Sequence, residues 1–390
     1  MLKLPKGFQT YSLSAGIKYS NRNDLGVIFS QTPASYAGVF TSNRIYAAPV
    51  RLCRERMGNP IQAVVVNSGN ANACTGLKGY EDARLIAEKA ERVFNAAAEN
   101  TALSLSTGVI GVPLPVEKIL SALDGYEKAD RDPESFARTI MTTDSFPKYA
   151  SREVEIKGKK VTLTGFAKGA GMISPNMATM LSFILTDAQI DFAHLQQMLL
   201  ECTGETFNAI TVDGDMSTND SVILLANGES GVSVQAGGES KEFKKALMEI
   251  MEELAKKIVQ DGEGATKLIE IRVEKAGSRE DARKVGLAIA NSLLVKTAFF
   301  GNDPNWGRIL AAAGYSGALV EEEKTELYFL DRWIFKGKPE SYDRKELIEK
   351  MKDSKELLIR VVLNQGSEDK RFFTCDLSYD YVKINAEYTT

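Results

Sequence analysis

KGAGMISPNMATMLSFILTD, residues 168–187, changes character at its middle. Six of the eleven residues from Lys168 to Ala178 are Gly, Ala, Ser or Pro, a composition that makes loops. From Thr179 the chain runs through Met180, Leu181, Phe183, Ile184 and Leu185, an apolar stretch of buried-strand length. A loop therefore delivers the chain to a strand beginning at Thr179. Upstream, EVEIKGKKVTLTGFA at 153–167 reads as a hairpin that turns at Lys157 to Lys160, with Gly158 supplying the tight turn. Farther upstream, AVVVN at 63–67 and residues 102–106 read as strands. Between them 80–99 reads as a helix with its apolar stripe at Ile86, Ala90, Val93 and Ala97. Downstream, helices near 193–206 and 241–261 flank a strand at Val222 to Ala226, and Ser278 with Asp281 forms a capping start for another helix. Strands near 326–330, 357–363 and 371–376 and a helix at about 343–352 complete the pattern, which is that of a mixed α/β protein.

A chain of 390 residues exceeds what one core usually organises, so two or three packed lobes are expected. Hydrophobic residues at 44 % and charged residues at 26 % exclude long disorder and a disulfide-stapled miniprotein. A net charge of −4 supplies no positive field for nucleic acid or an anionic membrane, which points to small-molecule partners. With no signal-peptide stretch at the N-terminus and no run of about 18 apolar residues, a cytoplasmic location is expected.

Histidine usage narrows the chemistry further, because His194 is the only one. Ser-His-Asp and Cys-His catalysis and HExxH zinc sites are thereby disfavoured. His194 lies among Phe192, Leu195, Met198, Leu199 and Cys202 at helical spacing and reads as a helix-surface residue. Cys53, Cys74, Cys202 and Cys375 are scattered without a CxxC pair and read as isolated thiols. Asp213, Asp215, Asn219 and Asp220 depart from the spacing of a calcium loop, so no metal is expected there, and the plainer account is a loop that shapes the active-site wall through turns and Asx hydrogen bonds. GNDPNWGR at 301–308 lacks both phosphate-loop patterns and reads as packing by Trp306 and capping by Asn305, with Arg308 left over for a substrate or CoA phosphate.

One mechanism without histidine suits the Ala178–Thr179 bond. A threonine hydroxyl held against the preceding carbonyl can attack it, shift the acyl group from nitrogen to oxygen, and release a new N-terminus. The freed α-amine, with an ordinary pKa near 8, then serves as general base to its own hydroxyl. An ordinary loop-to-strand junction would have the same dipeptide, and these residues alone leave both readings open.

Seven blocks decide between them. KGAGMISPNMATML, STGVIG at 106–111, NSGNANACTG at 67–76, TTD at 142–144, DGDMSTND at 213–220, EGATK at 263–267 and GNDPNWGR together closely resemble the ornithine acetyltransferase family, also called glutamate N-acetyltransferases, of arginine biosynthesis. The resemblance runs from about residue 6 to the C-terminus. It implies self-cleavage at Ala178–Thr179 into an alpha chain, 1–178, and a beta chain, 179–390, with a smaller C-terminal lobe from about 280. It implies a fold of two stacked β-sheets flanked by helices, and a heterotetramer of two alpha and two beta chains.

The activity implied is ping-pong transfer of acetyl from N-acetylornithine to glutamate through an acetyl-Thr179 intermediate. No cofactor is required, and acetyl-CoA as an additional donor stays open. The family positions fall on Thr107 and Gly108 for the oxyanion hole, and on Thr142, Lys168, Thr179, Glu263, Asn385 and Thr390 for substrate. A carboxylate such as Glu263 suits an ammonium group. Lys168 suits either an α-carboxylate or the neutral form of the Thr179 amine, and the residues do not separate those roles. N-terminal-nucleophile aminopeptidases, in which water accepts the acyl group, are the alternative within the wider superfamily.

Overall fold

The computed structural model describes residues 2–174, 180–235 and 237–387. They form two compact units, the first from residues up to 208 together with 215–258, the second from 209–214 and the chain after 258.

In the first unit the elements run β1 (Phe8–Leu13), β2 (Leu25–Phe40), α1 (Ala48–Glu55), β3 (Ile61–Asn70), α2 (Gly76–Val93), β4 (Ala102–Val109), α3 (Val116–Asp124), α4 (Pro133–Thr139), β5 (Lys148–Ile156), β6 (Lys159–Lys168), β7 (Leu181–Thr186), α5 (Phe192–Glu205), β8 (Ser221–Ala226) and α6 (Gly238–Gln260). The strands are ordered β4-β3-β2-β8-β7-β6-β5, with β1 on β2. The long strand β2 joins two layers. Leu25 to Phe29 pair with β3, the register breaks between Phe29 and Ala34, and Ser35 to Phe40 pair with β8. One core packs side chains of both halves, with Ile28, Val64 and Leu103 from one and Phe166, Phe183 and Ile223 from the other. The two layers therefore stack, as expected. Phe136 of α4 enters this core edge-on to Phe166, ring centroids 5.0 Å apart, and each such buried side chain contributes about 1.5–3 kcal/mol.

Helices close the outer faces. Ala83, Ile86 and Ala90 of α2 and Ile119 of α3 pack with Val27 and Val65 on the first layer. On the second layer the face opposite Phe166 bears Gly165, where an added Cβ would lie 2.7 Å from Leu254 and 2.8 Å from Ile250, so α6 sits directly on bare backbone. The Gln196 side chain of α5 brackets Gly38 of β2, its amide donating to the Gly38 carbonyl and its oxygen accepting from the Gly38 N–H, both at 3.0 Å.

The second unit contains β9 (Leu268–Ala276), α7 (Arg279–Asn291), α8 (Leu293–Phe300), α9 (Trp306–Gly314), β10 (Glu326–Phe329), β11 (Arg332–Lys336), α10 (Arg344–Asp353), β12 (Glu356–Val362), β13 (Glu368–Cys375) and α11 (Tyr379–Glu387). Its sheet order is β11-β10-β12-β9-β13, so β9 is interior and the unit starts ahead of residue 280. Ile271, Val285, Ile289, Ile359 and Phe372 centre its core.

Ser278 caps α7 by accepting from the Asp281 N–H, and Asn305 caps α9 by accepting from the Arg308 N–H. Trp306 stacks on Phe335 at 5.6 Å, and Arg308 donates to the Leu294 carbonyl at 2.8 Å. The helix expected over 80–99 instead spans Gly76–Val93, because Asn95 takes a left-handed φ of 49° and ends it before Ala97. His194 lies half-buried on α5, its Nε2 2.9 Å from the Ser240 hydroxyl. Among the described residues no helix is long and apolar enough to cross a membrane.

Candidate active site

β6 carries Lys168 to the end of the second layer, where its side chain is buried. Its ammonium donates to the Thr142 hydroxyl at 2.8 Å and to the Thr107 hydroxyl at 3.2 Å. Two residues, 26 and 61 positions from Lys168 in sequence, thus meet on one nitrogen. The carboxylate of Asp144 stands 4.0 Å from the same nitrogen.

Asp144 organises the other side of this cluster. Its Oδ1 accepts from Lys148 Nζ at 2.7 Å and from the Gly169 N–H at 2.6 Å, and its Oδ2 accepts from the Thr142 N–H at 3.0 Å. Burial by itself would raise this carboxyl, but the ammonium groups of Lys168 and Lys148 outweigh it and hold the pKa down at about 2. Asp144 is therefore ionised across the physiological range, and the buried cations have a compensating charge. The Gly169 and Thr142 bonds tie the loop after β6 and the TTD turn to one carboxylate.

Thr107 and Gly108 sit where the parallel pair β3–β4 ends in a register irregularity at Gly69 and Asn70. Gly108 has φ 137°, and a Cβ there would lie 2.2 Å from the Gly69 carbonyl carbon and 2.5 Å from the Asn70 nitrogen. Only glycine permits this approach of two backbones. Asparagines hold the β3 end in shape. Asn67 accepts from the Ser106 hydroxyl at 2.6 Å and donates to the Asn70 carbonyl at 2.9 Å, and Asn70 donates to the Val112 and Pro113 carbonyls. Gly108→Ala is expected to cost about 1–3 kcal/mol of stability from backbone strain. By displacing a residue assigned to the oxyanion hole it should also lower kcat about 10²-fold or more. Thermal unfolding and steady-state kinetics on the same preparation check both, and unchanged kcat would remove Gly108 from the site.

Loop 215–220 reaches the residue next to Thr107. Asn219 and Asp220, both buried, precede β8. The Asn219 amide donates to the Ala71 carbonyl at 2.6 Å and to the Ser106 carbonyl at 2.8 Å, and Asp220 Oδ1 accepts from the Met180 N–H at 3.0 Å.

The remaining described site residues belong to the second unit. Glu263 opens the EGATK loop, and Asn385 lies on α11. The Asn385 amide donates to Glu263 Oε2 at 2.8 Å and to the Tyr381 carbonyl at 3.0 Å. The Ser378 hydroxyl donates to the Gly264 carbonyl at 2.6 Å, which pins the loop against the start of the helix. Expected site residues thus gather as Thr107, Gly108, Thr142 and Lys168 in one unit and Glu263 with Asn385 in the other. Ala178, Thr179 and Thr390 lie outside the described residues.

Two residues with evident roles in the first cluster were not anticipated: Asp144, which stood in the quoted TTD block, and Lys148. Asn219 and Asp220 stood in the loop expected to shape the active-site wall, but their particular partners, Ala71, Ser106 and Met180, are distant in sequence and only spatial proximity identifies them.

The ArgJ family's sequence profile matches residues 9–390. The arginine biosynthesis bifunctional protein ArgJ of Geobacter sulfurreducens is 49 % identical over 99 % of this chain and 99 % of its own. The protein of the same name from Caldanaerobacter subterraneus subsp. tengcongensis is 47 % identical over 100 % of this chain and 98 % of its own. Among solved structures, the arginine biosynthesis bifunctional protein ArgJ of Bacillus halodurans superposes with a TM-score of 0.53 at 45 % identity, covering 54 % of this chain and all of that one. With its sequence matched nearly end to end, the chain belongs to the ArgJ family of arginine-biosynthesis enzymes.

Proposed function

We propose that this enzyme moves the acetyl group of N-acetylornithine to glutamate through an acetyl ester on Thr179, after cutting itself at Ala178–Thr179. The observation that carries the reading is the convergence of Thr107 and Thr142 on Lys168 Nζ, because these positions come from three separate blocks that lie far apart in the chain. The full-length relatives named for arginine biosynthesis support it.

Maturation begins when the Thr179 hydroxyl adds to the Ala178 carbonyl. The C–N bond breaks, the resulting ester is hydrolysed by water, and Ala178 leaves as a carboxylate while Thr179 gains a free amine. In the first half-reaction that amine takes the hydroxyl proton as Thr179 attacks the acetyl carbon, and returns it to the nitrogen of departing ornithine. The glutamate amine then attacks the acetyl ester and regenerates the hydroxyl. Each tetrahedral intermediate places negative charge on the former carbonyl oxygen. Donors at Thr107 and Gly108 stabilise it, and loss of one such donor typically costs about 3–4 kcal/mol of barrier. Lys168 polarises the Thr107 hydroxyl and keeps the region cationic, which favours the neutral, proton-accepting form of the Thr179 amine. Glu263 and Asn385 are assigned to the substrate's ammonium groups, and Thr142 and Thr390 to its remaining polar contacts. The active form is taken to be a heterotetramer of two alpha and two beta chains, and acetyl-CoA stays open as an additional donor.

Denaturing intact-mass spectrometry of untagged protein, before and after N-acetylornithine, tests the core of this reading. Two fragments joining at Ala178 and Thr179, with one acetyl group appearing on the larger, are expected. A single unmodified chain would overturn both the maturation and the acyl-enzyme, and, once glutamate is added, free acetate in place of N-acetylglutamate would make the enzyme a hydrolase.

A further inference from the structure

The turn before β8 holds two parts of the first unit that the proposed reaction must keep in register. Both hydrogens of the Asn219 amide are spent on carbonyls, those of Ala71 at 2.6 Å and Ser106 at 2.8 Å. Ser106 immediately precedes Thr107. The Asn219 Oδ1 accepts from the Thr218 hydroxyl at 2.6 Å, so the amide is engaged at both ends, and the Asn219 backbone N–H donates to the Ser217 hydroxyl at 3.0 Å. The next residue, Asp220, grips another strand. Its Oδ1 accepts from the Met180 N–H at 3.0 Å, and the Ser221 N–H donates to the Met180 carbonyl at 3.1 Å, so Met180 is held at both ends. Met180 immediately follows Thr179. The Thr41 N–H in turn donates to the Asp220 carbonyl at 3.0 Å and fixes the turn to the end of β2.

We infer that Asn219-Asp220 is a positioning clamp that sets the spacing between the oxyanion donors at Thr107–Gly108 and Met180, the residue that follows the proposed nucleophile in the chain. The inference rests on the acyl-transfer reading above and adds two residues to it. Each acts through the residue next to one assigned to the chemistry, Asn219 through Ser106 and Asp220 through Met180.

The chemistry of the carboxyl separates this role from a catalytic one. Asp220 is fully buried, and its Oδ2 has no hydrogen-bond partner among the described residues. Burial pushes its pKa well above the ordinary carboxylate range, against the opposing effects of the Met180 amide, Thr41, Lys168 and Ser217. Anchoring requires only an acceptor at Oδ1, which asparagine also presents. A proton-transfer role requires the carboxyl itself. At position 219 aspartate preserves the shape but replaces the donor nitrogen with an oxygen, which faces the carbonyls of Ala71 and Ser106.

The experiment compares Asp220→Asn, Asp220→Ala and Asn219→Asp with wild type as untagged full chains, following self-cleavage by intact mass, acetyl transfer by steady-state kinetics and folding by thermal unfolding. Asp220→Asn should be cleaved and keep kcat within about threefold, because its anchor is intact. Asp220→Ala and Asn219→Asp should lose about 10²-fold in kcat with KM for N-acetylornithine within about twofold, assayed well below their unfolding midpoints. A merely structural role would lower the midpoint and leave kcat of the folded fraction unchanged. Wild-type kcat in folded Asp220→Ala and Asn219→Asp would overturn the clamp, and so would an Asp220→Asn as impaired as Asp220→Ala. If Asn219→Asp fails to fold, the Asp220 pair decides. Wild-type cleavage and transfer in the same assays establish the underlying reading independently, so a loss confined to the variants bears on the clamp alone.

Discussion

Thr179→Ala leaves an undivided chain of 42.7 kDa that takes up no acetyl group from N-acetylornithine. Alanine removes the only atom at that position able to attack a carbonyl, and the cut and the transfer share it, so both fail together. The loss in kcat is expected on the order of 10⁴- to 10⁶-fold, the range seen when a covalent nucleophile is deleted. Thr179→Ser separates the hydroxyl from the side chain's shape. It should still divide and still become acetylated, more slowly, because the methyl that restricts χ1 is gone. Intact mass reads both variants directly. A divided, acetylated alanine variant would remove Thr179 from both reactions, and a dead serine variant would show that the methyl matters as much as the oxygen.

Lys168→Met has the second largest expected effect, and its two parts can be told apart. Methionine fills similar volume but leaves the Thr107 and Thr142 hydroxyls without their donor and removes one of the two cations that hold Asp144 ionised. Taking one partner from a buried charge cluster typically costs about 3–5 kcal/mol, though Lys148 at 2.7 Å retains part of the compensation here. The catalytic part, loss of a positive charge beside the oxyanion donors, should lower kcat about 10²- to 10³-fold. Kinetics taken well below the unfolding midpoint discriminate between them. The folded variant keeps the buried Lys148–Asp144 pair, and its midpoint falls while the kcat of the folded fraction stays low. Wild-type kcat in the folded fraction would make Lys168 a structural cation only.

The elements legible in the sequence were those with a local signature. The apolar run from Met180 to Leu185 became β7, the Gly158 turn joined β5 to β6, and Ser278 and Asn305 capped the helices they were expected to cap. Strand β2 lacked such a signature. Its sixteen residues are interrupted by Gln31, Thr32 and Pro33, and its two ends serve different layers, so no single alternation runs through it. The site divides in the same way. Motif context placed Thr107, Thr142 and Lys168, and Lys168 does bond both threonines. Asp144 reaches Gly169, 25 residues away, Asp220 reaches Met180, 40 away, and Asn219 reaches Ala71, 148 away, and a linear reading has no access to such pairings.

The strand order has a consequence for a chain cut between β6 and β7. Following the sheet from β2 to β6, the strands belong by turns to the N-terminal piece, twice to the C-terminal piece, and then to the N-terminal piece again. The C-terminal piece would thus be interleaved, with β8 zipped to β2 along Ser35 to Phe40 and β7 zipped to β6 along Leu163 to Lys168. Pulling the pieces apart would require opening both seams at once and exposing Phe166, Phe183 and Ile223 to water. Breaking this one peptide bond would change the connectivity of the molecule while leaving its architecture whole, so a new N-terminus could arise in the middle of a finished sheet.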